Sequence, residues 1–217
     1  MSCSLDLKNV SVANEGVILF ENISLHVGHK EKIAIVGANG CGKTTLLEVL
    51  AGLREKTSGR LELFHHTIEK KSDYQPFRSM VGYLFQDSND QFLCPIVKDD
   101  IAFSLLARGM QKSMAAKRVA MILEDLHITH LSEKVVYSLS GGEKKLVALA
   151  GVLVCEPKLL LLDEPTNALD ELMQTRLTQI LLELEKSIVV VSHDKDFVKE
   201  FSQSIYTVKE RSLVRIA

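Results

Sequence analysis

The chain has 217 residues, 46% of them hydrophobic, and a formal charge of −2 at pH 7. That length carries one domain with a sizeable core and room for a sub-domain. The near-neutral charge gives no bulk attraction to nucleic acid or anionic lipid, so no nucleic-acid partner is expected.

In chain order, the opening MSCSLDLKNV has no basic region followed by an apolar core, so no signal peptide is expected. Residues 5–12 alternate apolar and polar, with Leu5, Leu7, Val10 and Val12 on one side, and read as an edge strand. A turn at 14–16 follows, and 17–20 and 23–27 read as two further short strands. The apolar run Ile33, Ala34, Ile35 and Val36 then feeds GANGCGKTT at 37–45, and a helix-like stretch at 44–50 leaves it. This fits the phosphate-loop pattern G-x-x-x-x-G-K-[ST], with Gly37, Gly42, Lys43 and Thr44 in its fixed places. The strand–loop–helix setting is the one the pattern requires. Glycines let backbone N–H groups turn inward on phosphate oxygens, and the helix N-terminus adds unpaired N–H groups and a favourable dipole. Lys43 supplies a point charge for the β- and γ-phosphates and Thr44 a hydroxyl for Mg²⁺. Asn39, Gly40, Cys41 and Thr45 complete the candidate binding loop.

A helix end near Gly52, a turn at 57–59, a strand at 60–64 and a strand at 80–85 follow. His65, His66, Lys70 and Lys71 lie between these strands in a polar hairpin or loop; without further ligands at matching spacing a solvated segment is favoured over a metal site. Residues 87–91 form a polar turn. Helical patterns then cover 97–108 and 113–126, the second with Ser113 as its expected N-cap. A connection at 131–138 leads to LSGGE at 139–143 and a helix over 143–155, stopped by Pro157.

Leu159, Leu160, Leu161 and Leu162 make a continuously apolar strand, as expected of a parallel strand buried on both faces. A helix at 171–185, a buried strand at 188–191, a short helix at 195–201 and strands at 205–208 and 213–216 close the chain. The pattern is α/β: a mostly parallel sheet, an N-terminal antiparallel sub-sheet and an inserted helical sub-domain. One domain is expected over 1–217, with its core at 1–86 and 157–217 and the helical insertion at 87–156. The longest apolar runs, 146–155 and 159–162, fall short of the roughly 18 residues of a membrane span, so any membrane role runs through a partner. The cysteines, Cys3, Cys41, Cys94 and Cys155, are scattered and read as cytosolic thiols. Within the phosphate loop, Cys41 reads as a small loop residue ahead of an oxidation-sensitive thiol.

Ligand sites in a parallel sheet form beyond the carboxyl ends of its strands. Four features land there: the phosphate loop, Gln86, the pair Asp163 and Glu164, and His193. Asp163 after four leucines is the Walker B pattern and suits Mg²⁺. Glu164, the next residue, points to the other face of the strand terminus and is assigned as the general base for the attacking water. The Gln86 amide suits both Mg²⁺ and that water, and the His193 imidazole suits the γ-phosphate. Ser140, Gly141 and Gly142 precede a helix and make a second anion cradle. One chain seldom closes two such cradles on one phosphate, so a head-to-tail pair of subunits is expected. Lys144 and Lys145 read as a solvated helix face ahead of a phosphate contact.

Taken together, GANGCGKTT, Gln86, LSGGE, LLLLDEP, NALD and SHD resemble, in order and spacing, the nucleotide-binding subunit of an ABC transporter. The resemblance spans nearly the whole chain, and the segment 139–143 is its most specific element. It implies ATP and Mg²⁺ at two sites sandwiched in a dimer, with residues 140–142 of each subunit covering the other's nucleotide. It implies that the second subunit is a copy of this chain or a paralogue, and that 167–170 forms the loop crossing between sites. It implies integral-membrane transporter subunits as partners, at the cytoplasmic face of the membrane. The stretch VGYLFQDSNDQFLCPIVKDDIAFSL, residues 81–105, resembles energy-coupling-factor importers, the cobalt and nickel type in particular. The implied function is an ATPase that powers uptake of such an ion or a vitamin; another ABC system, an exporter or a lipid- or lipoprotein-handling complex, is the alternative, with a soluble non-transport ATPase behind it. Two departures stand out: Asn14 falls where an aromatic often stacks on adenine, and Glu143 replaces the usual glutamine.

Overall fold

The computed structural model describes residues 3–217; Met1, Ser2 and the side chain of Cys3 lie outside the described residues. The chain builds β1 (Cys3–Asn14), β2 (Val17–Gly28), β3 (Lys32–Val36), α1 (Lys43–Leu50), β4 (Ser58–Leu63), β5 (His66–Ile68) and β6 (Val81–Leu84). It continues with α2 (Val97–Ala107), α3 (Lys112–Asp125) and α4 (Gly141–Leu153). Then follow β7 (Leu159–Asp163), α5 (Glu171–Glu183), β8 (Ser187–Val191), α6 (Lys195–Phe201), β9 (Ser204–Lys209) and β10 (Ser212–Arg215).

Two sheets result. A four-stranded antiparallel sheet runs β2-β1-β4-β5, and a six-stranded sheet runs β10-β9-β3-β8-β7-β6. In the larger sheet every pairing from β9 to β6 is parallel, and β10 adds an antiparallel edge. The inner parallel strands β3, β7 and β8 are buried on both faces, and their side chains divide by the two-residue period of a strand. Ile33, Ile35, Leu159, Leu161, Val189 and Val191 pack with α1 and the antiparallel sheet. Ala34, Leu160, Leu162, Ile188 and Val190 pack with α2 through α6. All four leucines of β7 are fully buried because each face has its own cover. At about 1.5–3 kcal/mol per buried leucine, this strand is among the strongest contributors to the core.

Several local expectations are corrected. β1 is no edge strand: β2 pairs on one side and β4 on the other. Alternation reports one buried face, and that is the same for an edge and an interior strand of a half-covered sheet. Residues 17–28 form one long strand rather than two, with Asn22 at φ 51 absorbing an irregularity in its pairing with β1. α3 starts at Lys112 after Gln111, so Ser113 lies inside the helix. Of the hairpin or loop expected around 65–71, the structure forms the hairpin: β4 and β5 pair antiparallel with Leu63 opposite His66, and Lys71 then opens a 3-10 turn. The expected connection at 131–138 carries 3-10 turns at Thr129–Leu131 and Val136–Ser138. α4 begins at Gly141, two residues before the expected Glu143.

Candidate active site

β3 lies in the middle of the parallel sheet, and the loop after it turns back to start α1. Gly42 carries that turn at φ 97; a Cβ there would stand 2.9 Å from Phe20 Cε2 and 3.0 Å from Leu19 Cβ. Only glycine meets both the backbone angle and the space. Among the described residues no side chain caps α1, which leaves its first N–H groups for a ligand. Lys43 is 7% exposed, and its Nζ donates to Gly37 O and Ala38 O, each at 2.9 Å. These bonds hold the amine inside the loop rather than in solvent.

A cavity of about 530 Å³ opens at this loop. It collects Asn39, Gly40, Gly42, Lys43, Thr44 and Thr45 from the loop and helix, Gln86 after β6, Asp163 and Glu164 after β7, and His193 after β8. Segments separated by over a hundred residues thus meet at one end of the sheet, as expected. Gly37 and Cys41 do not line the cavity: Gly37 gives its carbonyl to Lys43, and Cys41 N donates to Ala38 O at 3.4 Å. Cys41, Cys94 and Cys155 are free thiols.

Asp163 is 1% exposed, and neither carboxylate oxygen has a hydrogen-bond partner among the described residues. Burial pushes its pKa above the usual carboxylate range, and the charge of Glu164 adds to this; Thr44, Lys43 and Lys145 oppose it. A buried, unpaired carboxylate beside a threonine hydroxyl fits a hard divalent cation such as Mg²⁺, which takes oxygen ligands.

Glu164 sits at φ 45, a left-handed conformation rare for a glutamate, and is held by its N–H on Val191 O at 2.9 Å. That backbone turns two consecutive acids into different surroundings, and such outliers cluster at active sites. Glu164 is 6% exposed. Its Oε2 accepts from His193 N at 3.2 Å and lies 2.8 Å from His193 Nδ1. With Nδ1 turned to Glu164, Nε2 is the ring nitrogen left for a substrate oxygen.

Ser140 and Gly142 line neither this cavity nor the adjoining one of about 720 Å³, whereas Gly141 lines the latter. The two cavities share Thr44, Gln86, Asp163 and Asn167. Ser140 closes a capping box on α4: its Oγ accepts from Glu143 N at 3.3 Å, and Glu143 Oε2 accepts from Ser140 N at 2.8 Å. These backbone and side-chain bonds to Ser140, with Lys134, hold Glu143 below the usual carboxylate range. The charge at Glu143 is thus committed to its own helix.

Sequence reading missed the burial of Lys145, while Asn167 and Asn14, already named from sequence, line the cavity. Lys145 is not on a solvated face; it is 4% exposed, and Lys144 donates to Asn89 Oδ1 at 3.0 Å. Asn167 lines both cavities, and its place directly after the LLLLDEPT run was the available signal. Asn14 lines the phosphate-loop cavity, where its Oδ1 accepts from Arg54 Nη1 at 2.7 Å. Among the described residues no phenylalanine or tyrosine lines that cavity.

The family model described as ABC transporter matches residues 20–167. This chain belongs to the ABC transporter ATP-binding family. A protein of Brucella suis biovar 1, provisionally named an ABC transporter ATP-binding protein, is 39% identical over 210 residues, covering 97% of this chain and 87% of that one. Among solved structures, cbiO1 of Clostridium perfringens, part of the ABC transporter complex cbiONQ, superposes with a TM-score of 0.90. It is 31% identical and covers 99% of this chain and 88% of its own. An ATP-binding cassette solved as a dimer in a post-hydrolysis state with ADP and Pi matches at TM-score 0.85 and 26% identity, over 96% of both chains. The α/β fold is that of these cassettes, and the chain is an ATP-hydrolysing subunit of an ABC transporter. Among the described residues no helix is long and apolar enough to cross a membrane.

Proposed function

We propose that this chain is the ATPase subunit of an energy-coupling-factor importer carrying cobalt or nickel ions or a vitamin. The observation that carries this reading is its likeness to cbiO1, part of the cbiONQ complex, over 99% of the chain. The stretch 81–105 supports the same group. The chain works at the cytoplasmic face of the membrane, bound to integral-membrane subunits and paired with a copy of itself or a paralogue.

In this reading the phosphate-loop N–H groups and Lys43 bind the β- and γ-phosphates. Thr44, Gln86 and Asp163 hold Mg²⁺, which when bound neutralises charge on the phosphoryl oxygens. Glu164 takes the proton of the attacking water. His193, oriented through Nδ1 by Glu164, offers Nε2 to the γ-phosphate. Residues 140–142 of the second subunit close over the nucleotide, which explains why Ser140 stands outside this chain's own cavity.

The test is Glu164→Gln in the complex purified from membranes. ATP turnover is expected to fall by about 10²–10⁴-fold with ATP binding retained. Undiminished turnover would sink the assignment of the base. Identification of the co-purifying subunits tests the transporter type: exporter or lipid-handling subunits in place of a small importer scaffold would overturn it.

A further inference from the structure

α4 is capped by Ser140, in the cradle proposed to cover a nucleotide, and its second turn reaches under the loop that carries Gln86. There Lys145 Nζ donates to Gln86 O at 2.8 Å and to Phe85 O at 3.3 Å. A second bond pair fixes the same loop: Gln91 Nε2 donates to Ala148 O at 2.7 Å, and Gln91 Oε1 accepts from Phe85 N at 3.3 Å. Lys145 is a lysine buried to 4% exposure, so its desolvation is a standing cost. Burial lowers its pKa, while the carboxylates of Asp87, Asp163 and Glu164 oppose that. A lysine placed this way for packing alone would be poorly chosen, because a methionine fills the same volume without the desolvation cost. What the amine adds is a rigid tie between one turn of α4 and the two carbonyls that flank the Gln86 backbone.

We infer that Lys145 is a positioning residue for Gln86: by tying the 85–91 backbone to α4 it fixes where Gln86 stands in the cavity it shares with Asp163. The inference rests on the reading of Gln86 as a ligand of Mg²⁺ and water. The tie acts on hydrolysis through the placement of Gln86. Binding of nucleotide to Lys43 and the loop at 37–45 does not pass through it.

A double-mutant cycle on the full chain tests this, with Lys145→Met, Gln86→Ala and the pair, read as kcat, KM for Mg-ATP and thermal midpoint. Lys145→Met is expected to lower kcat by about tenfold or more while KM stays within about twofold, since only a step after binding is affected. In the Gln86→Ala background the same change is expected to lower kcat no further, because residues acting as one unit are not additive. Lys145→Gln, which keeps a shorter donor, recovers part of the loss and enters the same cycle should Lys145→Met fail to fold. Losses that multiply in the double variant, or a Lys145→Met enzyme with wild-type kcat, would overturn the inference. Full kcat in Gln86→Ala alone would instead remove the reading of Gln86 on which it stands.

Discussion

Gly42→Ala against Gly40→Ala separates two reasons for glycine in the phosphate loop. Both residues sit at positive φ, 97 and 77, so each alanine carries a left-handed penalty of about 1–2 kcal/mol. Each also stabilises by about 0.4–1 kcal/mol through a less flexible unfolded chain. Around Gly40 nothing lies within 4 Å of the added Cβ, so its net cost is roughly 0–1.5 kcal/mol. At Gly42 the Cβ meets Phe20 Cε2 at 2.9 Å and Leu19 Cβ at 3.0 Å. Phe20 is fully buried in the core beneath, so it cannot swing away, and overpacking adds about 1–3 kcal/mol. The difference between the variants is therefore about 1–3 kcal/mol, or a few degrees to about 10 °C in thermal midpoint for a domain of this size. Differential scanning calorimetry without nucleotide reads it. Equal midpoints for the two variants would refute the claim that Gly42 is confined by Phe20 as well as by its backbone.

The remaining predictions use other parts of the same site and core. Asp163 has a folded pKa above its unfolded one, so its native form holds the proton more tightly, and stability is lost as pH rises from the ordinary carboxylate value, about 4, towards the raised one. Without metal, Asp163→Asn should therefore raise the thermal midpoint at pH 7, and this gain should shrink below the ordinary carboxylate value; no gain at pH 7 would argue against a penalised charge. The same variant should lose the extra stabilisation that Mg²⁺ gives the wild type with ATP present, measured as midpoint against Mg²⁺ concentration. Ser140→Ala removes the Oγ acceptor of Glu143 N and should cost about 0.5–2 kcal/mol in urea unfolding. Leu161→Ala opens a cavity on the α1 side of β7 and should cost about 2–5 kcal/mol by the same measure with kcat changed little; a cost below about 1 kcal/mol would contradict its burial.

Much of this fold was legible because its code is local. Four leucines in a row predict a strand covered on both faces, and β7 divides them between two clusters as the period requires. The phosphate loop was legible for the same reason, since strand, glycine turn and helix are adjacent in sequence. The edge status of β1 was not legible. Its second partner, β4, begins 44 residues beyond the end of β1, and nothing in an alternating strand reports how many neighbours it has. The start of α3 was misread for a related reason: Ser113 has the chemistry of a cap, but the backbone enters the helix one residue earlier.

The candidate site divides along the same line. Residue types at strand ends could be named from sequence, but their pairings could not. Glu164 and His193 are 29 residues apart, and only the parallel neighbours β7 and β8 bring their ends together. That pairing ties the two together: Glu164 holds the ring at Nδ1, which leaves Nε2 as the open ring nitrogen. Lys145 shows the limit more sharply. Its sequence setting, two lysines after SGGE, favours a solvated face, and Lys144 is in fact half-buried against Asn89. Successive residues on a helix point about 100° apart, so of two adjacent lysines on α4 one reaches sideways to Asn89 and the other under the loop at 85–91. The helix phase alone fixes that one of them is buried; which one depends on the packing of α4 against β6 and the turn at Ser88–Asp90, a tertiary fact with no local signal.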